Sequence, residues 1–433
     1  MRNKRVIIEV KKSTRVPPLE TFAMAPALQS RATSLLLDEM FEPLPTHRPV
    51  HHFALLGMNV YEEESVLVRG EIEAGDEQDL LAGPGVVAVW TDAPIAPFPA
   101  PDPFLSLAAP RGEFAPCDSP DCTPGSPKGT VDDVIAYLGC DRIWEAGVRG
   151  AGITIGVCDT GIDRAAVPAV VDGWSLDPES PWGDDQRGHG TMCGFDAASI
   201  CPEAQLLDIG ILKGAHGAFS GYISDAIIAF EWAIQRHRQD GTPHILSCSW
   251  GMYQNEWAPD YAEDPHHPFT QKMLQAIGEG IIVCFAAGNC GGSCPDNRCG
   301  DDIGFGRSIW GANGHEKVIT VGAANVEEQW AGYSSQGPAA LYDRKPDFCA
   351  PSHFAGRTPS DAGSSAACPV CAGVIGLLKQ ARPLLNQEQA HRVLAHTARN
   401  LCAPGWDYQT GYGMIQAYDA FRTVQKRLPN PLR

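Results

Sequence analysis

AGITIGVCDTGID, residues 151–163, decides the fold. Ile153, Ile155 and Val157 alternate with small residues in a run too short for a helix, and the run stops at Asp159 and a Thr-Gly turn. A short apolar run of this kind suits a strand buried on both faces. Further runs of the same type cover 204–212, 243–251, 280–289 and 317–324, all rich in Ile, Val and Leu. Amphipathic, helix-length segments over 224–238 and 369–382 lie among them. The alternation predicts an α/β fold, a mostly parallel sheet with helices on both faces. In such sheets reactive groups gather where strands end and helices begin.

Three stretches at those junctions carry chemistry. Asp159 ends the first strand; His189 sits between glycines in DDQRGHGTMCG, 184–194; Ser365 lies in GSSAACP, 363–369, ahead of a helical run. Each alone reads as a turn former or helix cap. Together they are a carboxylate, an imidazole and a hydroxyl. A serine hydroxyl needs a neutral imidazole to take its proton, and a carboxylate to hold that imidazole's tautomer and stabilise its charged form. The oxyanion formed needs donors already in place: the Ser365 N–H at a helix start and the side-chain amide of Asn289 in FAAGNCGG, 285–292. An α/β-hydrolase is excluded, because its GxSxG elbow would need glycine where Ala367 stands and its serine comes first in the chain.

Upstream, residues 93–130 hold ten prolines among Gly, Ser and Asp, a composition that cannot sustain a helix or an interior strand. It reads as an exposed linker. It divides the chain into a small α+β, ferredoxin-like domain over 1–92, the Pro-rich linker over 93–130, and a larger α/β domain over 131–433. In the first domain, strands are expected over 4–12, 66–74 and 85–92, with helices over 28–40 and 76–82.

The formal charge of −19, from 33 basic and 52 acidic residues, excludes a nucleic-acid partner, which needs clustered Lys and Arg. The apolar run Val6–Ile8 is too short for an export signal, and no window approaches the ~18 apolar residues of a membrane span, so a cytoplasmic protein is expected. Most of the fifteen cysteines lie inside apolar runs as small buried hydrophobes. Cys117 and Cys122, and Cys290, Cys294 and Cys299, lie in polar loops without CxxC spacing, which favours disulfides or free thiols over zinc.

CDTGID, GHGTMCG and GSSAACP, with AAGN at 286–289, SWG at 249–251, and the VGAAN, YSSQGP and PDFCAPS stretches, resemble the subtilisin-like serine proteases, the subtilases. The resemblance covers about residues 131–424. Ser364 and Met192 depart from the usual threonine and histidine. It implies a serine endopeptidase with Asp159, His189, Ser365 and Asn289 as its catalytic set. It also implies a groove that binds peptide or protein substrate along two strand edges, 214–221 and 247–251. Gly217, Phe219, Ser249, Trp250 and Gly251 would line the groove, with Phe219 and Trp250 as apolar walls, and Ala287 and Gly288 would border the primary pocket. The chemistry requires no cofactor and no metal; the acidic insertion with Asp296, Asp301 and Asp302 leaves room for a structural calcium. The N-terminal domain resembles a subtilase propeptide, an intramolecular inhibitor and folding aid cut off in a self-processing zymogen. The alternatives are a peptidase dedicated to maturing one substrate and a non-catalytic peptide-binding module on a protease scaffold.

Overall fold

The strand that ends at Asp159 is an interior strand, third in order, of a seven-stranded sheet in which every pairing is parallel. The computed structural model describes residues 3–11, 34–46, 48–49, 61–62, 65–99, 117, 119–214 and 220–426.

The N-terminal part is an antiparallel sheet of β1 (Asn3–Lys11), β2 (Leu36–Leu37), β3 (Leu44–Pro45), β4 (Ser65–Glu73) and β5 (Val86–Thr91), with α1 (Glu77–Leu81) against it. β1 pairs with β4 from Asn3↔Glu73 to Lys11↔Ser65. Side chains alternate across β1. Val6, Ile8 and Val10 close a small core with Val66, Ile72 and Leu80, whereas Ile7 faces the core of the large domain. The helix expected over 28–40 is not formed in its described part: Leu36 and Leu37 pair with Glu71 and Gly70, and Asp38 is held by Arg69 at 2.7 Å. Edge pairing and a buried Leu35 outweigh the helical pattern.

The larger part contributes β7 (Thr154–Asp159), β8 (Val170–Ser175), α2 (His189–Ile200), β9 (Gln205–Gly210), α3 (Ile223–Asp240), β11 (Ile245–Cys248), α4 (Pro268–Glu279), β13 (Ile282–Ala286), β14 (Ile319–Ala324), β15 (Phe348–Pro351) and α5 (Ser364–Ala381). Three short strands complete the numbering: β6 (Pro94–Pro97), β10 (Gly221–Tyr222) and β12 (Trp250–Gly251). The large sheet runs β8-β9-β7-β11-β13-β14-β15. Ile155, Val157, Ile245, Ile282 and Cys284 point to the face covered by α2 and α5; Leu246, Cys248, Val283 and Phe285 point to the face covered by α3 and α4. Covering both faces explains why these strands are apolar throughout. Strand order reverses between β7 and β11, the switch point at which sites form beyond the carboxyl ends of strands.

The cysteines divide as their surroundings require. Cys117–Cys402, Cys122–Cys294 and Cys290–Cys299 are disulfides, and the nine others are buried free thiols. One bond joins the two loop groups seen in sequence, one lies within the second group, and one brings in Cys402.

The small sheet docks on α3. Arg69 reaches Asp225 at 2.7 Å, and the Thr91 N–H donates to Asp260 at 2.6 Å. Asp92 accepts from the N–H and the hydroxyl of Ser224, both at 2.9 Å. Burial pushes the Asp92 carboxyl up to about 6, opposed by Arg5 and reinforced by Asp225. An acid whose folded value is raised binds its proton more tightly in the folded state, so its contribution to stability falls as pH rises from about 4 to about 6. In the Ser365→Ala background, Asp92→Asn is therefore expected to gain thermal stability over its parent at pH 7 and to lose that advantage toward pH 4. A stability difference that does not vary with pH in melts across this range would sink the assignment.

Candidate active site

Each candidate residue stands at the carboxyl edge of the large sheet because an element ends or starts there. Asp159 closes β7, His189 opens α2, Asn289 follows β13, and Ser365 sits in the first turn of α5. Close approach of α2 to the turn after β7 depends on Gly190, where an added Cβ would lie 2.1 Å from the Gly161 carbonyl oxygen.

His189 Nδ1 lies 2.7 Å from Asp159 Oδ1, and both side chains are nearly buried. The same carboxylate oxygen accepts from the Thr160 N–H at 2.7 Å. Cys193, one turn along α2 from His189, lies beneath them, with Sγ 3.7 Å from Asp159 Oδ2 and 3.5 Å from the Ser365 carbonyl oxygen. Burial, then the Asp159 charge, push this thiol well above its usual range, so it stays protonated. Asp159, His189 and Cys193 are, among the described residues, the one cluster with three metal-competent atoms in mutual reach.

Ser365 Oγ is not bonded to His189. It lies 2.6 Å from the Phe98 carbonyl oxygen and 3.1 Å from that of Ser249, while the buried His189 Nε2 has no hydrogen-bond partner among the described residues. The Asn289 side chain is fixed at both ends. Its Oδ1 accepts from the Ser364 N–H and hydroxyl, each at 3.0 Å, and its Nδ2 donates to the Phe98 carbonyl at 2.8 Å and the Pro99 carbonyl at 2.5 Å.

The chain's own residues 94–99 thus lie across the site. β6 is the central strand of a three-stranded antiparallel sheet, with Ile95 opposite Gly221 on one side and Ala96 opposite Gly251 on the other. The linker expectation fails for this stretch, although two of the four strand residues are proline. The pairing survives because other groups carry its hydrogen bonds: the Ala93 and Ile95 carbonyls accept from Ile223 and Ser220, and the Phe98 N–H donates to the Ser249 carbonyl. Tyr253 Oη donates to the Pro97 carbonyl at 2.8 Å. Residue 117 and the described part of 119–130 are likewise docked, through two of the disulfides and through Asp121 N–H to the Trp330 carbonyl.

The Phe98 ring fills a pocket beside Tyr253, with ring centres 5.0 Å apart and edge to face. A Cβ on Gly251 would sit 2.7 Å from the tip of that ring, so this wall requires glycine. Ser249 holds the Ser365 carbonyl through its hydroxyl at 3.0 Å. Gly288 has φ +110°, and a side chain there would meet Ser335; Ala287 packs with Ile309 and Ala339. Trp250 needs correction: its backbone pairs with Pro97, but its indole is fully buried against Phe269 and Phe285 and is no wall of the groove. Strand alternation sends it inward. Gly217 and Phe219 lie outside the described residues.

Sequence reasoning missed Phe98, Tyr253 and Asn313, whose side-chain amide ties the Trp250 and Ala286 carbonyls together behind the pocket at 2.9 and 3.0 Å. Asp296 is paired with Arg298 at 2.8 Å, and Asp302 accepts from the Asn255 N–H.

The doubly covered parallel sheet with aspartate, histidine and serine at its carboxyl edge is that of a subtilisin-like serine protease. The chain belongs to the Subtilase family, whose profile matches residues 150–413. It is 29% identical over 291 residues to "Serine protease AprX" of Bacillus subtilis (strain 168), covering 57% of this chain and 61% of that one. It is also 29% identical over 297 residues to "Subtilisin DY" of Bacillus licheniformis, covering 66% of this chain and 97% of that one. The match thus spans less than two thirds of AprX and nearly all of subtilisin DY. In fold it is similar to fervidolysin of Fervidobacterium pennivorans, described as a keratinolytic enzyme related to subtilisin, with a TM-score of 0.62 at 16% identity, covering 100% of this chain and 62% of that one. No helix among the described residues is long and apolar enough to cross a membrane.

Proposed function

We propose that the protein is a serine endopeptidase acting through an acyl-enzyme and made as a self-processing zymogen. Ser365 attacks the peptide carbonyl, His189 takes the hydroxyl proton and passes it to the leaving amine, and Asp159 holds His189 with Nδ1 protonated. Asn289 Nδ2 receives the oxyanion. Residues 1–92 are the propeptide-like domain, 93–130 contain the processing region, and 131–433 are the catalytic domain. The observation that carries this reading is the Phe98 carbonyl, whose oxygen meets both Ser365 Oγ and Asn289 Nδ2. A peptide carbonyl there, on a strand paired at both edges, occupies the place of a substrate and makes the N-terminal segment an intramolecular inhibitor. The pocket filled by Phe98 favours an aromatic residue before the cleaved bond.

The bond after Phe98 leads to Pro99, which resists cleavage in that register. The proline nitrogen carries a ring carbon where other residues carry hydrogen, and that carbon crowds the approach of His189 to the leaving nitrogen. Misplacement of this order slows a reaction by about 100-fold. Intact-mass measurement of the purified full chain is expected to show a new N-terminus within 93–130 for the wild type, downstream of Pro99, and none for Ser365→Ala. Pro99→Ala is expected to shift cleavage to the Phe98–Ala bond and to speed it at least about tenfold. A wild type that stays full-length under assay, or is cut equally in Ser365→Ala, rules out self-processing.

A further inference from the structure

A second aspartate–histidine pair lies behind the nucleophile, outside the set assigned above. His353 Nδ1 is 2.5 Å from Asp121 Oδ2, and His353 Nε2 is 2.7 Å from Tyr333 Oη. Tyr333 Oη in turn accepts the Gly363 N–H at 2.7 Å, and Ser352 Oγ donates to the Gly363 carbonyl at 3.0 Å. Gly363 is the residue from which α5 starts, two positions before Ser365, with φ +86°. His353, Tyr333 and Ser352 have no solvent exposure.

We propose that Asp121, His353 and Tyr333 form a buried hydrogen-bonded relay that positions the Gly363 peptide and, through it, the Ser365 nucleophile; this rests on the protease reading above.

Tyr333 Oη also lies 3.3 Å from Ser352 Oγ, so it is held from three sides, by His353, Gly363 and Ser352. The Asp121 carboxylate already accepts from Thr123 and from Asn325 Nδ2, at 2.8 and 2.9 Å, and these bonds with His353 hold it ionised. It accepts from His353 Nδ1, which leaves Nε2 to pair with the Tyr333 hydroxyl. Tyr333 Oη pairs with Nε2 and accepts from the Gly363 N–H. The buried polar atoms from the peptide to the carboxylate are thus paired in one connected network. His353 also adopts φ +58°, a left-handed backbone that non-glycine residues disfavour and that persists where surrounding bonds over-determine it. A histidine that only filled space would need neither this backbone nor two ring partners.

Asp121 comes from the Pro-rich segment, next to the Cys122–Cys294 bond, and joins a catalytic body 232 residues further on. Processing upstream of Asp121 releases the strand in the cleft yet leaves the relay in place. The relay residues touch no substrate; they are positioning residues.

The test uses the processed enzyme and an aromatic peptide amide. Tyr333→Phe keeps the ring and removes the hydroxyl. It is expected to lower kcat about ten- to a hundredfold, with KM within twofold. The Ki of a peptidyl boronate, which needs an aligned Ser365, should rise in parallel, and the Ki of the non-reactive peptide acid should stay put. A merely structural residue would move all three or none. Proton NMR of the wild type is expected to show two slowly exchanging imidazole N–H signals far downfield, one from His189 and one from His353, the second lost in Asp121→Asn. An unchanged kcat in Tyr333→Phe, or a wild type lacking the second signal, overturns the relay. If Tyr333→Phe does not fold, the wild-type spectrum decides. If the wild type cleaves no peptide, the protease reading fails, and the spectrum alone judges the relay.

Discussion

Replacing Ser365 by alanine is expected to reduce peptide hydrolysis about a million-fold, a magnitude carried over from nucleophile removal in other serine proteases. The physical reason is that no other group can form the acyl bond at this carbonyl. Cys193 is close, but it points at the underside of the Asp159–His189 pair and its burial keeps the thiol protonated. Peptide affinity should change little, because the cleft holds its occupant through backbone pairing at Gly221, Ser249 and Gly251 and through the Phe98 pocket, none of which involves the hydroxyl. The check is kcat and KM on an aromatic peptide amide for the two processed proteins, with the variant cut by added wild type. Loss of less than about a hundredfold would mean that Ser365 is not the nucleophile.

Where the sequence could be read, one local pattern carried the information. Asp159, His189, Asn289 and Ser365 each end or start an element within their own motif, so their shared edge follows from the parallel sheet without any long-range contact being known. The strands of the large sheet were legible for the same reason, since burial on both faces writes an uninterrupted apolar run. Contacts between distant segments were not legible. Prolines 94, 97 and 99 read as linker because the usual rule assumes that every residue of an interior strand donates, whereas here only alternate groups are used. Trp250 beside the substrate strand looked like a wall until alternation turned it into the core. Asp121 and His353 fall in none of the quoted motifs, and Tyr333 opens YSSQGP without any role being legible there; only the fold shows that a carboxylate from the Pro-rich segment meets a histidine 232 residues away.

Asn289→Ala is expected to lower kcat by about 100- to 1000-fold, a range carried over from the loss of such a donor in other serine proteases. In the structure this amide does two things, and they can be separated. Nδ2 meets the carbonyl that is to become an oxyanion, and Oδ1 takes the Ser364 N–H and hydroxyl that start α5. Truncation leaves those two buried donors without an acceptor, which costs roughly 1–3 kcal/mol of stability for each group left unsatisfied. Asn289→Asp keeps the acceptor for Ser364 but turns a charge-repelling oxygen toward the developing anion. It should therefore recover part of the thermal stability lost in Asn289→Ala while losing at least as much kcat. If kcat instead followed stability across the two variants, with aspartate the more active, Asn289 would be an anchor for the helix that carries Ser365, and the oxyanion would have to rest on the Ser365 N–H alone.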